Sequence, residues 1–216
     1  MINANASSTP AVDYRLYFVT DPVLCLQHGL IETAIRAVDG GATIIQLRDP
    51  NAKGRQLYQD AEALLDVLRP RHIPLIINDR IDVAIAAGAN GVHMGQSDLP
   101  VTAARTMMGD KALIGLSIDR ADQITEQEET MCDYFGAGPV YATQTKSDAL
   151  PPIGTEGVRA IVQTTHRPVV AIGGIGFQQM SDIMDTGVAG VAVVSAIACA
   201  EHPERAAASL RALIED

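Results

Sequence analysis

Short runs rich in Val, Ile and Leu alternate along the chain with longer stretches in which apolar residues recur at helical spacing. The runs are Leu16–Thr20, Thr43–Leu47, Leu75–Asn78, Gly91–His93, Leu113–Ser117, Tyr134–Gly136, Val169–Ile172 and Gly190–Val194. Most are continuously apolar rather than alternating, as expected of strands buried on both faces in a parallel sheet. The stretches between them predict helices. Residues 61–68 place apolar side chains on one face, and Pro70 stops them. Residues 81–87 are Ala-rich and stop at Gly88, and residues 181–186 stop at Gly187. Both glycines suit a C′ position, where the backbone turns left-handed. The last segment, Pro203 to Ile214, opens with Pro in its first turn.

Eight strand–helix units are counted in this way. No Pro-rich, Gly/Ser-rich or charge-run linker interrupts them, so residues 14–216 are expected to form one α/β domain, a single (β/α)8 TIM barrel. Residues 1–13 are expected to be a flexible N-terminal arm. The rival architecture is an open doubly wound sheet. It would usually carry a glycine fingerprint after its first strand. Here Thr20-Asp21-Pro22 follows instead.

Composition narrows the function. The 216 residues include 26 acidic and 16 basic side chains, a net charge of -10. Binding to nucleic acid needs clustered Lys and Arg, so a polynucleotide partner is not expected. The apolar runs end well short of the ~20 residues a membrane span needs. Cys25, Cys132 and Cys199 lie far apart and form no CxxC pair. A zinc site or disulfide framework is therefore not expected, and a cytoplasmic setting is the simpler one. The N-terminal residues show no signal-peptide pattern.

In a barrel, chemistry collects where strands end and βα loops begin. Polar and glycine residues follow seven of the eight runs. They include Gln46 and Arg48, Asn78 and Asp79, His93 and Asp98, Ser117, the segment from Gly138 to Lys146, Gly173-Gly174 and Val194-Ser195. Each taken singly has an ordinary structural reading. Asp79, Asp98 or Ser117 could cap a helix, His93 could be a hydrogen-bonded core residue, and Gly173-Gly174 could be a tight turn. The joint pattern points further, because caps do not call for the long polar side chains of Gln46, Arg48 and Lys146. Gly173-Gly174 and Val194-Ser195 occupy the strand ends where barrels often cradle a phosphate. Arg48 and Lys146 add positive charge from two other sectors. Asp79 and Asp98 follow neighbouring strands. They fit a Mg²⁺ site better than an acid–base pair, given so many phosphate-type contacts nearby. No GxSxG elbow supports a nucleophilic hydrolase.

These blocks, in order and spacing, resemble the thiamine-phosphate synthase family. The resemblance runs from Leu16-Tyr17-Phe18-Val19-Thr20-Asp21 through Gln46-Leu47-Arg48-Asp49, Ile77-Asn78-Asp79-Arg80, the stretch from Gly91 to Asp98 and Gly115-Leu116-Ser117. It continues through Gly138 to Lys146 and Ala171-Ile172-Gly173-Gly174-Ile175. It implies a (β/α)8 transferase that joins a hydroxymethylpyrimidine pyrophosphate to a thiazole phosphate and needs no enzyme nucleophile. It implies that Gln46, Arg48 and Asn78 hold the pyrimidine pyrophosphate, that Asp79 and Asp98 ligate Mg²⁺, and that Ser117 and Lys146 contact the pyrophosphate. Catalysis would rest on Arg48, Ser117 and Lys146. Thr143, Thr145, Gly173-Gly174 and Val194-Ser195 would bind the thiazole phosphate, and His93 would line the pyrimidine pocket. The partners implied are small molecules, with a homo-oligomer left open. One position departs from the family: Pro50 stands where a lysine usually follows the arginine of the second-strand motif, with Lys53 and Arg55 further on. That departure keeps two alternatives in view, a thiazole tautomerase-like isomerase and a non-catalytic thiazole-phosphate-binding protein on the same barrel.

Overall fold

The computed structural model describes residues 12–143, 145 and 150–215. Its strands are β1 (Leu16–Val19), β2 (Ile44–Leu47), β3 (Leu75–Asn78), β4 (Gly91–Met94), β5 (Leu113–Ile118), β6 (Tyr134–Ala137), β7 (Val169–Ile172) and β8 (Gly190–Val193). They pair in parallel in chain order, and β8 closes on β1 to complete a barrel. The helices are α1 (Leu30–Asp39), α2 (Gly54–Leu68), α3 (Ile81–Ala87), α4 (Val101–Met108), α5 (Glu126–Met131), α6 (Gly154–Thr164), α7 (Met180–Met184), α8 (Ser195–Ala198) and α9 (Pro203–Glu215). The fold is the (β/α)8 barrel that the strand count implies.

Alternate residues of each strand enter two different cores. Leu16, Phe18, Ile45, Leu47, Leu75 and Ile77 pack outward against helix residues such as Leu64, Leu68, Ala84, Ile183 and Leu210. Tyr17, Val19, Ile44, Ile76, Tyr134, Val170 and Ala192 pack inward on the barrel axis. Both faces are dry, which is why the runs read as continuous apolar segments. The inward parity also carries Gln46, Asn78, His93 and Ser117, one or two steps above the apolar layer. Strand twist and register thus deliver polar side chains from four strands to one end of the barrel.

Several boundaries differ from the sequence reading. Thr20, Thr43 and Val194 fall just outside their strands, while β4, β5 and β6 each run one residue further. Helix α2 begins at Gly54, about two turns before the segment read as helical. Residues 185–187 form a turn rather than an end of α7. The Thr186 hydroxyl donates to the Ile183 carbonyl at 2.6 Å, and Gly187 takes φ 88°. Ser195 opens a separate short helix, α8, ahead of the last helix α9. The helix-cap alternatives also fail. The N-caps of α3 and α4 are Arg80 and Pro100, not Asp79 and Asp98, and Ser117 lies inside β5.

Residues 1–11, most of the segment read as an arm, lie outside the described residues. Tyr14 is buried, and Asp13 pairs with Arg15 at 2.6 Å and with Arg211 of α9 at 3.5 Å.

Candidate active site

The inner face of the barrel holds a chain of hydrogen bonds that runs from Gln46 through the buried Tyr17 and Tyr134 to Ser117. The Gln46 amide Nε2 donates to the Tyr17 hydroxyl at 2.8 Å. Tyr17 and Tyr134 share a hydroxyl–hydroxyl bond of 2.9 Å. The Tyr134 hydroxyl lies 3.0 Å from His93 Nδ1, and His93 Nε2 lies 2.8 Å from Ser117 Oγ. Five strands contribute one residue each. The rings pack as they bond, with centroids of Tyr17 and His93 at 6.0 and 5.5 Å from that of Tyr134. Burial pushes both phenols well above their ordinary pKa, so both stay protonated.

Two glycines make this packing possible. A Cβ on Gly115 would stand 2.2 Å from Tyr134 Cζ and 2.5 Å from His93 Nδ1. A Cβ on Gly136 would stand 2.9 Å from His93 Cε1. Glycine on β5 and β6 therefore opens the space that the two rings fill.

The rim above is built from loop chemistry. Arg48 follows β2 with the parity of Gln46, is half-buried, and has its backbone N–H held by the Thr20 hydroxyl at 3.1 Å. Asn78 ends β3 directly beside His93 in register. Asp79 is exposed and takes φ 61°, and its N–H donates to the His93 carbonyl at 2.9 Å. Asp98 is half-buried, and its carboxylate accepts the Gly95 N–H at 2.6 Å, which ties down the loop after β4. Gln96 donates to the Ser117 carbonyl at 2.8 Å, fixing that loop to β5. The two aspartates thus sit in the loops after adjacent strands. Among the described residues no group of three or more His, Cys, Asp and Glu could hold a metal.

Gly173 and Gly174 follow β7 with φ 102° and 65°. Close approach demands them as well. A Cβ on Gly173 would come within 2.6 Å of Pro139, and one on Gly174 within 2.7 Å of the Ala142 carbonyl. The loop after β6 lies directly on them, with Val140 N–H on the Ile172 carbonyl and Tyr141 N–H on the Gly173 carbonyl, each at 2.9 Å. Thr143 and Thr145 continue that loop and are half-buried. Val194 is the N-cap of α8 and Ser195 its exposed first residue. Lys146 lies outside the described residues. Pro50 is exposed in a turn closed by the Asp49 carboxylate on the Asn51 and Ala52 N–H groups, and Lys53 and Arg55 are exposed at the start of α2.

The described residues named from the sequence fall at this end of the barrel, whereas Tyr17 and Tyr134 beneath them were not among the candidates. The usable signal was parity: both tyrosines fall on the inward face of their strands, and Gly115 and Gly136 occupy that face on β5 and β6.

A family model described as thiamine monophosphate synthase matches residues 16–197. The chain belongs to this family. Among its relatives, the thiamine-phosphate synthase of Azorhizobium caulinodans is 47% identical over 203 residues, covering 94% of this chain and 96% of its own. That of Xanthobacter autotrophicus is 48% identical over 202 residues, with the same coverage. The thiamine phosphate pyrophosphorylase structure from Pyrococcus furiosus superposes with a TM-score of 0.85 at 36% identity, over 94% of this chain and 96% of that one. A 3-hexulose-6-phosphate synthase, at 19% identity and TM-score 0.66, shares the fold.

Proposed function

We propose that the chain is a Mg²⁺-dependent transferase. It condenses 4-amino-2-methyl-5-hydroxymethylpyrimidine pyrophosphate with a thiazole phosphate, giving thiamine monophosphate and pyrophosphate. Membership of the thiamine monophosphate synthase family over residues 16–197 carries this reading, and the polar rim supports it. The bond between the exocyclic carbon and the pyrophosphate oxygen breaks, and its electron pair leaves with pyrophosphate. The electron-rich aminopyrimidine stabilises the positive carbon, and the thiazole nitrogen's lone pair forms the new C–N bond. The substrate carries its own driving group, so the protein's tasks are to orient two ligands and to stabilise charge on the departing phosphates.

Gln46 and Asn78, on the inner face, suit the polar edge of the pyrimidine, with His93 beside them. Arg48 suits forked contact with phosphate oxygens, and Ser117 and Lys146 complete the pyrophosphate contacts. Asp79 and Asp98 would hold Mg²⁺. Two carboxylates from adjacent loops, with no larger donor cluster among the described residues, fit an ion that takes the rest of its shell from water and phosphate. Bound there, the ion would neutralise charge growing on the leaving group. Backbone at Gly173-Gly174 and Val194-Ser195, with Thr143 and Thr145, would receive the thiazole phosphate. The Gly173-Gly174 pair thereby combines close loop packing with a backbone bare enough for an anion to approach.

The test is an incubation of the purified protein with each ligand alone and with both, with and without Mg²⁺. Thiamine monophosphate is expected only from both ligands with Mg²⁺. Conversion of the thiazole phosphate by itself would favour the isomerase reading. Thiazole phosphate binding that survives chelation and Asp79→Ala, with no turnover, would favour the binding protein.

A further inference from the structure

We propose that Tyr17 and Tyr134 are positioning residues. They hold the His93 proton on Nε2 and so leave the Ser117 hydroxyl hydrogen available as a donor at the barrel mouth. The proposal rests on the reading of Ser117 as a contact to an anionic oxygen. It follows from counting hydrogens along the chain. The Gln46 amide nitrogen only donates, so the Tyr17 oxygen accepts. The Tyr17 hydrogen then goes to the Tyr134 oxygen, and the Tyr134 hydrogen goes to His93 Nδ1. A ring nitrogen that accepts carries no proton, so neutral His93 is protonated at Nε2 and donates to Ser117 Oγ. Ser117 spends a lone pair on His93 and keeps its own hydrogen. In the reverse direction His93 would be protonated at Nδ1, Ser117 would give its hydrogen to Nε2, and Tyr17 would receive two donors with no place in the chain for its own hydrogen.

The surrounding packing fits a fixed arrangement. Tyr17 and Tyr134 are 1% exposed. Gly115 and Gly136 admit the Tyr134 and His93 rings at distances no Cβ would allow. The Gln96 side chain pins the Ser117 backbone through its carbonyl. Each rotor is thus restrained by a neighbour that also sets its hydrogen-bond partner. This is the way outer residues orient a contacting group.

The test reads the tautomer directly. The protein, labelled with ¹⁵N in its histidine rings, is compared with His93→Gln to assign the His93 signals, and both nitrogen shifts are measured. The expected result is a protonated Nε2 and an unprotonated Nδ1. In Tyr134→Phe the donor to Nδ1 is gone. The proton should redistribute between the nitrogens, and turnover should fall about tenfold with KM for the thiazole phosphate unchanged. A proton on Nδ1 in the unaltered protein overturns the proposal. A folded Tyr134→Phe that keeps both the tautomer and full turnover also overturns it. If Tyr134→Phe fails to fold, the tautomer of the unaltered protein decides alone. If the unaltered protein makes no thiamine monophosphate, the functional reading fails while the tautomer result still stands or falls by itself.

Discussion

Asp98 shows how one side chain serves both the fold and the proposed chemistry. Its carboxylate accepts the Gly95 N–H at 2.6 Å, and it is one of the two carboxylates proposed above to hold Mg²⁺. Asp98→Asn keeps an oxygen for Gly95 but removes the charge. Turnover is expected to fall by about 100-fold or more, the scale of lost electrostatic stabilisation at a reacting centre, with the thermal midpoint little changed. Steady-state rates beside a melting curve check this. The three cysteines give a second test at this scale. Cys25 and Cys132 are buried, and burial pushes the Cys132 thiol up to about 12, whereas Cys199 is exposed. A thiol reagent should therefore label Cys199 in the native protein, and labelling of the other two should require unfolding. Residue by residue, the rim could be read because Arg48, Asp79 and Asp98 follow the ends of apolar runs with groups that a core would reject. Tyr17 and Tyr134 were not. A tyrosine in an apolar run reads as packing, and the partner of its hydroxyl lies 117 residues away in the chain.

At the scale of elements, the strands were readable because burial on both faces leaves a continuous apolar signature. Helix ends were less so. The start of α2 follows a turn made by the Asp49 side chain, and α7 closes on a Thr186 hydroxyl bond. Neither leaves a periodic trace. The same scale explains why glycine sits inside β5. Gly115→Ala would drive a Cβ to 2.2 Å from Tyr134 Cζ, so Tyr134 and His93 must shift. Overpacking of this kind costs about 1–3 kcal/mol, visible as an earlier midpoint in denaturant with reduced turnover. The loop after β2 is a different case. Pro50 is exposed there, and Pro50→Lys should leave turnover equal or modestly raised. A large loss would show that the Asp49 turn depends on proline.

Across the whole molecule, the charge of -10 first looks hostile to phosphorylated ligands. The barrel separates surface from site. The acidic excess disfavours extended polyanions, while the rim gathers Arg48, glycine backbone and the two aspartates proposed to hold a cation. The ends of the described chain also meet. Asp13 pairs with Arg15 beside β1 and with Arg211 on α9. The Arg15 hydrogen bond leads the causes that hold the Asp13 carboxyl below its ordinary 3.8. A depressed carboxylate stabilises the fold above the unfolded value and loses that contribution as pH falls through the folded one. Asp13→Asn should thus cost stability near neutrality, by no more than ~1 kcal/mol for so exposed a pair. The difference from the unaltered protein should vanish in acid, which denaturation at two pH values would show. The central claim is that this rim joins two ligands by expelling pyrophosphate. Its most direct test is the stoichiometry of products formed by the unaltered protein with both substrates and Mg²⁺. One pyrophosphate released for each thiamine monophosphate formed is the predicted result. A folded protein that binds both ligands and yields neither product would contradict it.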